Sequence, residues 1–333
     1  MKTVSISVMN LCVPCENRCR YCLLSYDGQT NGVDFERSTA YAKRFYDWLA
    51  VHRPDLSFSF GFGYSMEHPE LENAIRFCQC IGSITGEFLQ FDGMKFRSDA
   101  ELEALLTKLK SLSVKLIDLT FYGTEQYHDR FAARHGDFRL MVHTLRIAVG
   151  LGLEVSVSIP LTGENCSQID ELLNILEQNG ASRFTCFVPH SEGRGRLLDK
   201  VRLTLADYDA LSERVKAHLS RERFKTEREW IVTQALPCPD KRALTLTLRP
   251  DNVDFFENLS FTDTVSYLEK LDNTYYQAVP SLHELMELYG DKTGTKMYSA
   301  RDLYLHYQRK YIAEHNLQIY DINDERQCFS RRF

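Results

Sequence analysis

The chain has 333 residues, 44% of them apolar, which is enough for one large domain with an appendage. A formal charge of −6 excludes a generally basic, phosphate-gripping surface, and no apolar run reaches the length of a membrane span, so neither nucleic acid nor a membrane is expected as a partner. The opening MKTVSISVMN has no signal-peptide core, which points to the cytoplasm, where the ten cysteines stay reduced as ligands, catalysts or core residues.

Strand-like and helical runs alternate from the start. Residues 4–8 (VSISV) read as the first strand, and the run after it sets Tyr41, Phe45, Trp48 and Leu49 on one helical face. Residues 56–60 (LSFSF) form the second strand, 69–80 a helix, and 87–91 (EFLQF) the third strand. Leu102, Leu105, Leu106, Leu109 and Leu112 then recur at helical spacing. Residues 115–121 (KLIDLTF) lead to a helix at 138–150, and 153–159 (LEVSVSI) to one carrying Ile169, Leu172, Leu173 and Leu176. Residues 183–188 (RFTCFV) are the sixth strand. Repeated βα units need crossovers, so the strands should run parallel, either doubly wound or curved into a barrel. Both arrangements collect chemistry at the C-terminal strand ends.

One further helix fits Leu205, Tyr208, Leu211, Val215 and Leu219, and the pattern changes at the charged stretch 221–229. Residues 244–256 (LTLTLRPDNVDFF) read as a β-hairpin turning at Pro250, Asp251 and Asn252, followed by tyrosine-rich helices. The expected division is 1–222 and 223–333.

Four cysteines fall within eleven residues, CVPCENRCRYC, just after the first strand. Structural zinc on two C-x2-C pairs would need a longer excursion between the pairs than the three residues present. Buried, inert thiols are the bland alternative. An iron–sulfur cluster on Cys15, Cys19 and Cys22 suits the short steps, and three ligands to a four-iron cube leave one iron open for catalysis. Cys12 is then left over, as a packing residue or part of the site wall.

C-x3-C-x2-C with an aromatic before the last cysteine resembles the signature of the radical S-adenosylmethionine (SAM) superfamily, and CENRCRYC matches it at every fixed position, with Tyr21 as the aromatic. The resemblance implies a partial (β/α)6 TIM-like barrel, a 4Fe–4S cluster on Cys15, Cys19 and Cys22, and SAM chelated to the open iron by its amino and carboxylate groups. Residues 62–71 (FGYSMEHPEL) are similar to the family's second-strand segment, GGEPTLHPEL. Gly63 and the final HPEL are retained, whereas Tyr64 stands in place of the glutamate that often holds the SAM amino group. LQFDG resembles the third-strand T-N-G segment, with Asp92 for asparagine. Thr120 takes the serine position of the fourth-strand segment, His128 and Asp129 match the H-D after it, and Ala132 replaces an arginine that binds the SAM carboxylate, leaving Arg130 or Arg134 to supply that charge. The resemblance also implies Ser158 as a further cofactor contact, with Phe187 and Val188 by the adenine ahead of HSEGRGR, which resembles the family's G-R-G.

The match is closest to the branch with a C-terminal SPASM or twitch extension, and it implies a hairpin-plus-helices appendage. That extension normally holds auxiliary clusters, and past residue 223 only Cys238 and Cys328 remain. The implied activity is hydrogen abstraction from a peptide or natural product, redox-neutral and epimerisation-like, with Cys328 or Cys238 as hydrogen donor. A one-electron reductant of flavodoxin or ferredoxin type and a separate peptide-recognition protein are the implied partners. A small metabolite or sugar as substrate, or an iron–sulfur electron-transfer module without SAM chemistry, are the alternatives. His190, following the sixth strand, is a further site candidate.

Overall fold

The computed structural model describes residues 2–10, 15–19, 22, 32–62, 66–83, 86–191, 193–233, 241–319 and 321–322. The expected α/β alternation is present. The first half runs β1 (Lys2–Asn10), α1 (Phe35–His52), β2 (Ser57–Gly61), α2 (Leu71–Cys80), β3 (Phe88–Gln90), α3 (Asp99–Ser111) and β4 (Leu116–Thr120). Two helices come after β4, α4 (Glu125–Ala132) and α5 (Asp137–Gly150), and then β5 (Glu154–Pro160), α6 (Ile169–Gln178) and β6 (Arg183–Phe187). Local sequence explains the helix starts: Asp34 caps α1 by accepting from the Arg37 amide, and Ser98 with Glu101 forms a capping box on α3.

The strands form two parallel sheets, β3-β4-β5-β6 and a second one in which β1 is central, with β2 on one side and β8 (Lys241–Leu248) on the other. Among the described residues β2 and β3 are not hydrogen-bonded to each other, so the strands do not close into a barrel. Ile6, Val8, Phe60, Ile117, Leu119, Val155, Val157, Leu244 and Leu246 are buried in one core cluster with apolar residues of the helices, including Phe45, Leu106 and Leu173.

The hairpin expected at 244–256 is a correction. β8 is a single strand parallel to β1, and α10 (Val253–Asn258) comes directly after its turn. The turn residues do turn the chain: Asn252 accepts from the Arg249 amide and donates to the Thr247 carbonyl. Helix α10 then buries Val253 and Phe256, three apart, which is a helical spacing. Residues on both sides of the expected boundary at 222/223 therefore share one sheet. The helix expected at 205–219 is two short ones, α7 (Leu205–Ala210) and α8 (Glu213–Ala217), because Ser212 adopts an extended conformation and caps the second.

The remaining chain supplies β7 (Lys225–Thr226), α9 (Glu227–Thr233), α11 (Phe261–Ala278), α12 (Leu282–Tyr289), β9 (Met297–Tyr298) and α13 (Ala300–Glu314). A second core of Trp230, Tyr275, Leu285, Leu303 and Tyr307 holds several of these together, so the tyrosines expected in these helices are largely packing residues.

Candidate functional site

The thiols lie on a loop pinned at both ends by Asn10, the last residue of β1. Its amide group donates to the Val33 carbonyl (2.9 Å) and the Ser38 hydroxyl (2.7 Å), and its carbonyl oxygen accepts from the Val33 amide (3.1 Å). The loop then crosses the C-terminal ends of other strands. The Glu16 amide donates to Gly93 O after β3 (2.8 Å), the Arg18 amide to Ala132 O at the end of α4 (2.9 Å), and the Arg194 amide, after β6, to Cys22 O (3.1 Å). A segment anchored at three such points is held by the sheet, not by its own propensity.

Cys15, Cys19 and Cys22 are partly buried free thiols. They are near enough to interact electrostatically, together with Asp92. Burial is the main force pushing the Cys15 thiol up to about 11, and burial followed by the charges of Cys15 and Cys22 pushes Cys19 higher. A hydrogen bond from Tyr122 partly offsets the rise at Cys19. Gly93 makes room for the first thiol: its φ is +61°, and a Cβ there would collide with the Cys15 sulfur.

These features fit an iron–sulfur cluster: three close free thiols, a partly buried setting and a glycine-sized gap beside one of them. Among the described residues no three His, Cys, Asp or Glu side chains converge as a single metal ion requires. A cubane has no such requirement, since each thiolate binds a different iron.

A buried polar network backs the loop. His128 is fully buried. Its Nδ1 accepts from the Tyr122 amide (3.3 Å), so its Nε2 carries the proton donated to Asp137 (3.1 Å). Asp137 also receives Asn17 Nδ2 (3.2 Å) and Arg134 Nη1 (3.1 Å). His128 therefore braces the site from behind. Arg134 is committed in the same way, with Nη1 also on Met94 O (2.5 Å) and its guanidinium stacked over Phe96 (3.9 Å). Arg130 is exposed and stacks over Tyr127 (5.0 Å).

The other expected contacts divide. Thr120 donates through its hydroxyl (3.0 Å) and amide (3.3 Å) to Asp92, and Ser158 donates to Asp118 (3.1 Å). Burial, then the neighbouring Asp118 charge, raises Asp92 to about 7 against the pull of the Thr120 bonds. Phe187 is partly exposed, whereas Val188 is fully buried in the hydrophobic core. Successive residues of an extended chain face opposite ways, so the two do not both front the open side. Tyr21, Gly63, Tyr64, Cys12, Cys238 and Cys328 lie outside the described residues. His68 of the HPEL run is buried and accepts the Glu70 amide (3.0 Å), a local turn contact at the start of α2. Cys78 and Cys186 are buried in the core, and Cys80 is exposed on α2.

His190 meets Asp302 of α13 through Nδ1 (3.0 and 3.2 Å). Asp302 is fully buried and also accepts from the Ser191 amide (3.3 Å) and the Ser299 hydroxyl (2.5 Å). Sequence reasoning missed Asn10, Asn17, Gly93, Tyr122, Asp137 and Asp302, whose partners are mostly distant in the chain. Gly93 alone carried a local signal, in the LQFDG segment.

No protein-family model matches the sequence, and no curated protein does. Solved structures with a similar course of chain include Streptococcus suis SuiB bound to its precursor peptide SuiA (14% identity, 78% of this chain and 62% of that one, TM-score 0.49). Escherichia coli coproporphyrinogen III oxidase HemN, a radical SAM enzyme, is another (11% identity, 93% and 91%, TM-score 0.46). A third is anSMEcpe with bound AdoMet and the Cp18Cys peptide (13% identity, 62% and 56%, TM-score 0.40). The chain thus spans about six-tenths of the peptide-bound SuiB chain. At these identities and scores the likeness assigns no activity.

Proposed function

We propose that this chain is a radical SAM enzyme. The observation that carries it is the loop bearing Cys15, Cys19 and Cys22, which sets three mutually interacting thiols over the C-terminal ends of parallel strands. When bound there, a 4Fe–4S cluster with SAM supplies one-electron cleavage of the sulfonium and a 5′-deoxyadenosyl radical able to take hydrogen from an unactivated carbon.

The protein's part is to bind, orient and exclude water. Cys15, Cys19 and Cys22 hold three irons. Thr120, Ser158 and Phe187 are the cofactor contacts favoured among the described residues. Arg130 is the better partner for the SAM carboxylate, because Arg134 is already engaged by Asp137 and Met94 O. Tyr21, Gly63 and Tyr64 are the further cofactor contacts that the motif resemblance implies. Residues 1–222 form the catalytic unit and 223–333 an extension that holds no auxiliary cluster.

The substrate is a peptide or other natural product, with an external flavodoxin- or ferredoxin-type reductant and a separate recognition protein for a peptide. The outcome is redox-neutral. Cys328 or Cys238 gives a hydrogen atom to the substrate radical, and the resulting thiyl radical is reduced by one electron from the reductant and one proton from solvent.

Anaerobic reconstitution is the direct test. It should load about four irons per chain, and dithionite with SAM should release 5′-deoxyadenosine. Iron-loaded, reduced protein that leaves SAM intact with or without substrate sinks the proposal. About eight irons would overturn the absence of an auxiliary cluster. Solvent deuterium appearing at one substrate carbon, and its loss in Cys328→Ala or Cys238→Ala, tests the hydrogen-return step.

A further inference from the structure

The thiols are held from different parts of the chain. Cys15 is fixed from the first half, where the next residue, Glu16, donates its amide to Gly93 O (2.8 Å) and Gly93 leaves the gap beside the sulfur. Cys22 is fixed from beyond β6, where the Arg194 amide donates to its carbonyl (3.1 Å). Arg194 is the second residue of a 3₁₀ helix, Gly193–Lys200. The first amides of a helix have no partner inside it, so this one is available to the loop. Cys22 therefore takes its position from that short helix.

The short helix is itself gripped by the C-terminal part of the chain. Ser191, just ahead of it, is fully buried, and its amide, carbonyl and hydroxyl are all bonded. The amide donates to Asp302 (3.3 Å), and the carbonyl accepts from Arg309. The hydroxyl accepts from Arg202 and donates to Asp199 (3.0 Å). Asp302 and Arg309 lie two turns apart on α13, so they share one helix face. That face offers a carboxylate to the Ser191 amide and a guanidinium to its carbonyl, which fixes the backbone on both sides of one residue. At the far end of the short helix, Lys296 donates to Asp199 O (2.6 Å), Arg202 to Met297 O (3.4 Å) and the Met297 amide to Leu203 O (2.8 Å). Asp302 and Arg202 are buried, where charge-assisted bonds are strong and their loss is costly.

We propose that α13 positions the third cluster ligand. Asp302 and Arg309 hold Ser191, Ser191 sets the helix Gly193–Lys200, and that helix places Cys22. Both side chains are positioning residues, acting through the Arg194 amide. The C-terminal part of the chain thereby completes a site whose thiols all come from the first 22 residues. That Cys22 binds iron rests on the radical SAM reading; that α13 fixes its place does not.

The test uses the full chain. In the iron-free protein, alkylation by iodoacetamide is followed at each cysteine by peptide mass spectrometry. Loss of one charge-assisted bond to Ser191, in Asp302→Asn or Arg309→Met, should raise the ratio of Cys22 to Cys15 labelling about tenfold. Arg309→Lys keeps a cationic donor and should stay within about twofold of the parent. Val265→Ala, which opens a cavity beside α11, lowers the denaturation midpoint and should leave the ratio unchanged. After anaerobic reconstitution, Asp302→Asn and Arg309→Met should also lose iron to EDTA faster than the parent and shift the electron paramagnetic resonance of the dithionite-reduced cluster. An unchanged ratio in both variants, an equal rise in Val265→Ala, or lysine no better than methionine at position 309 would each overturn the inference. Should Asp302→Asn not fold, the two Arg309 variants decide it. An altered ratio in chains whose parent takes up no iron fails the enzyme reading alone. A parent that loads about four irons and cleaves SAM, with an unchanged ratio in both variants, fails this inference alone.

Discussion

At the residue scale the site turns on three sulfurs and one missing side chain. Serine in place of Cys15, Cys19 or Cys22 should abolish stable cluster loading, taking iron from about four per chain to well below one, as elemental analysis would show. Gly93→Ala places a methyl group against the Cys15 sulfur at a left-handed φ of +61°. It should destabilise the fold by about 1–2 kcal/mol and impair cluster retention, readable as a lower denaturation midpoint and faster loss of visible absorbance. The thiols also set a pH dependence. Burial raises Cys15 from 9.0 to about 11, so the folded, iron-free chain holds this proton more tightly than the unfolded chain. That preference is fully present below pH 9.0 and is lost as pH rises towards 11. Iron-free protein should therefore lose stability over that window, and the loaded protein, whose thiolates are already formed, should not. Denaturant midpoints at several pH values for both forms would check it. The spacing of the cysteines was legible in the sequence, but the gap beside Cys15 was not, because Gly93 meets the loop only across the fold.

At the element scale the loop and α13 show how position is imposed from outside. The residues described between 11 and 32 are neither helix nor strand; Asn10, Gly93, Ala132 and Arg194 hold them in place. Helix α13 reaches the end of β6 through Asp302, assisted by Arg309, which donates to the Ser191 carbonyl, and by Arg202, which stacks over Tyr298 (4.3 Å). Burial would push the Asp302 carboxyl up, but the bond from His190, its charge and the Ser299 bond outweigh it and hold the group below the ordinary carboxylate range. This contribution is present above the ordinary carboxylate value and is lost as pH falls through the lowered one. Asp302→Asn should cost about 2 kcal/mol near neutrality and flatten the acid limb of the stability profile, measurable by urea titration across that range. The helical pattern of α13 was legible from its tyrosines and leucines. Its docking residue was not, since Asp302 and His190 are 112 positions apart.

At the scale of the whole molecule, β8 ties the C-terminal third to the sheet built on β1. Cutting the chain after residue 222 removes the strand paired along β1 from Lys2 to Asn10, and it uncovers the part of the core that Leu244, Leu246 and Leu248 fill. An unpaired edge beside exposed apolar surface favours association. The fragment 1–222 should aggregate where the full chain is soluble, and a fragment that melts cooperatively as a monomer would show that the two parts fold independently. The hairpin expectation failed here for a definite reason. Pro250, Asp251 and Asn252 mark a turn, but a turn does not say whether the next element returns beside the strand or leaves as a helix.

The sequence by itself determined the order of the first six strands, the thiol triplet and its place after the first strand, because these depend on periodicity and on spacing along the chain. Tertiary structure alone decided that β8 flanks β1, that Asp137 and His128 brace the thiol loop, that Val188 is fully buried while Phe187 is only partly so, and that Thr120 bonds Asp92 and Ser158 bonds Asp118. Those outcomes depend on pairing and burial between distant segments, where the free energy of packing, not local preference, selects the partner.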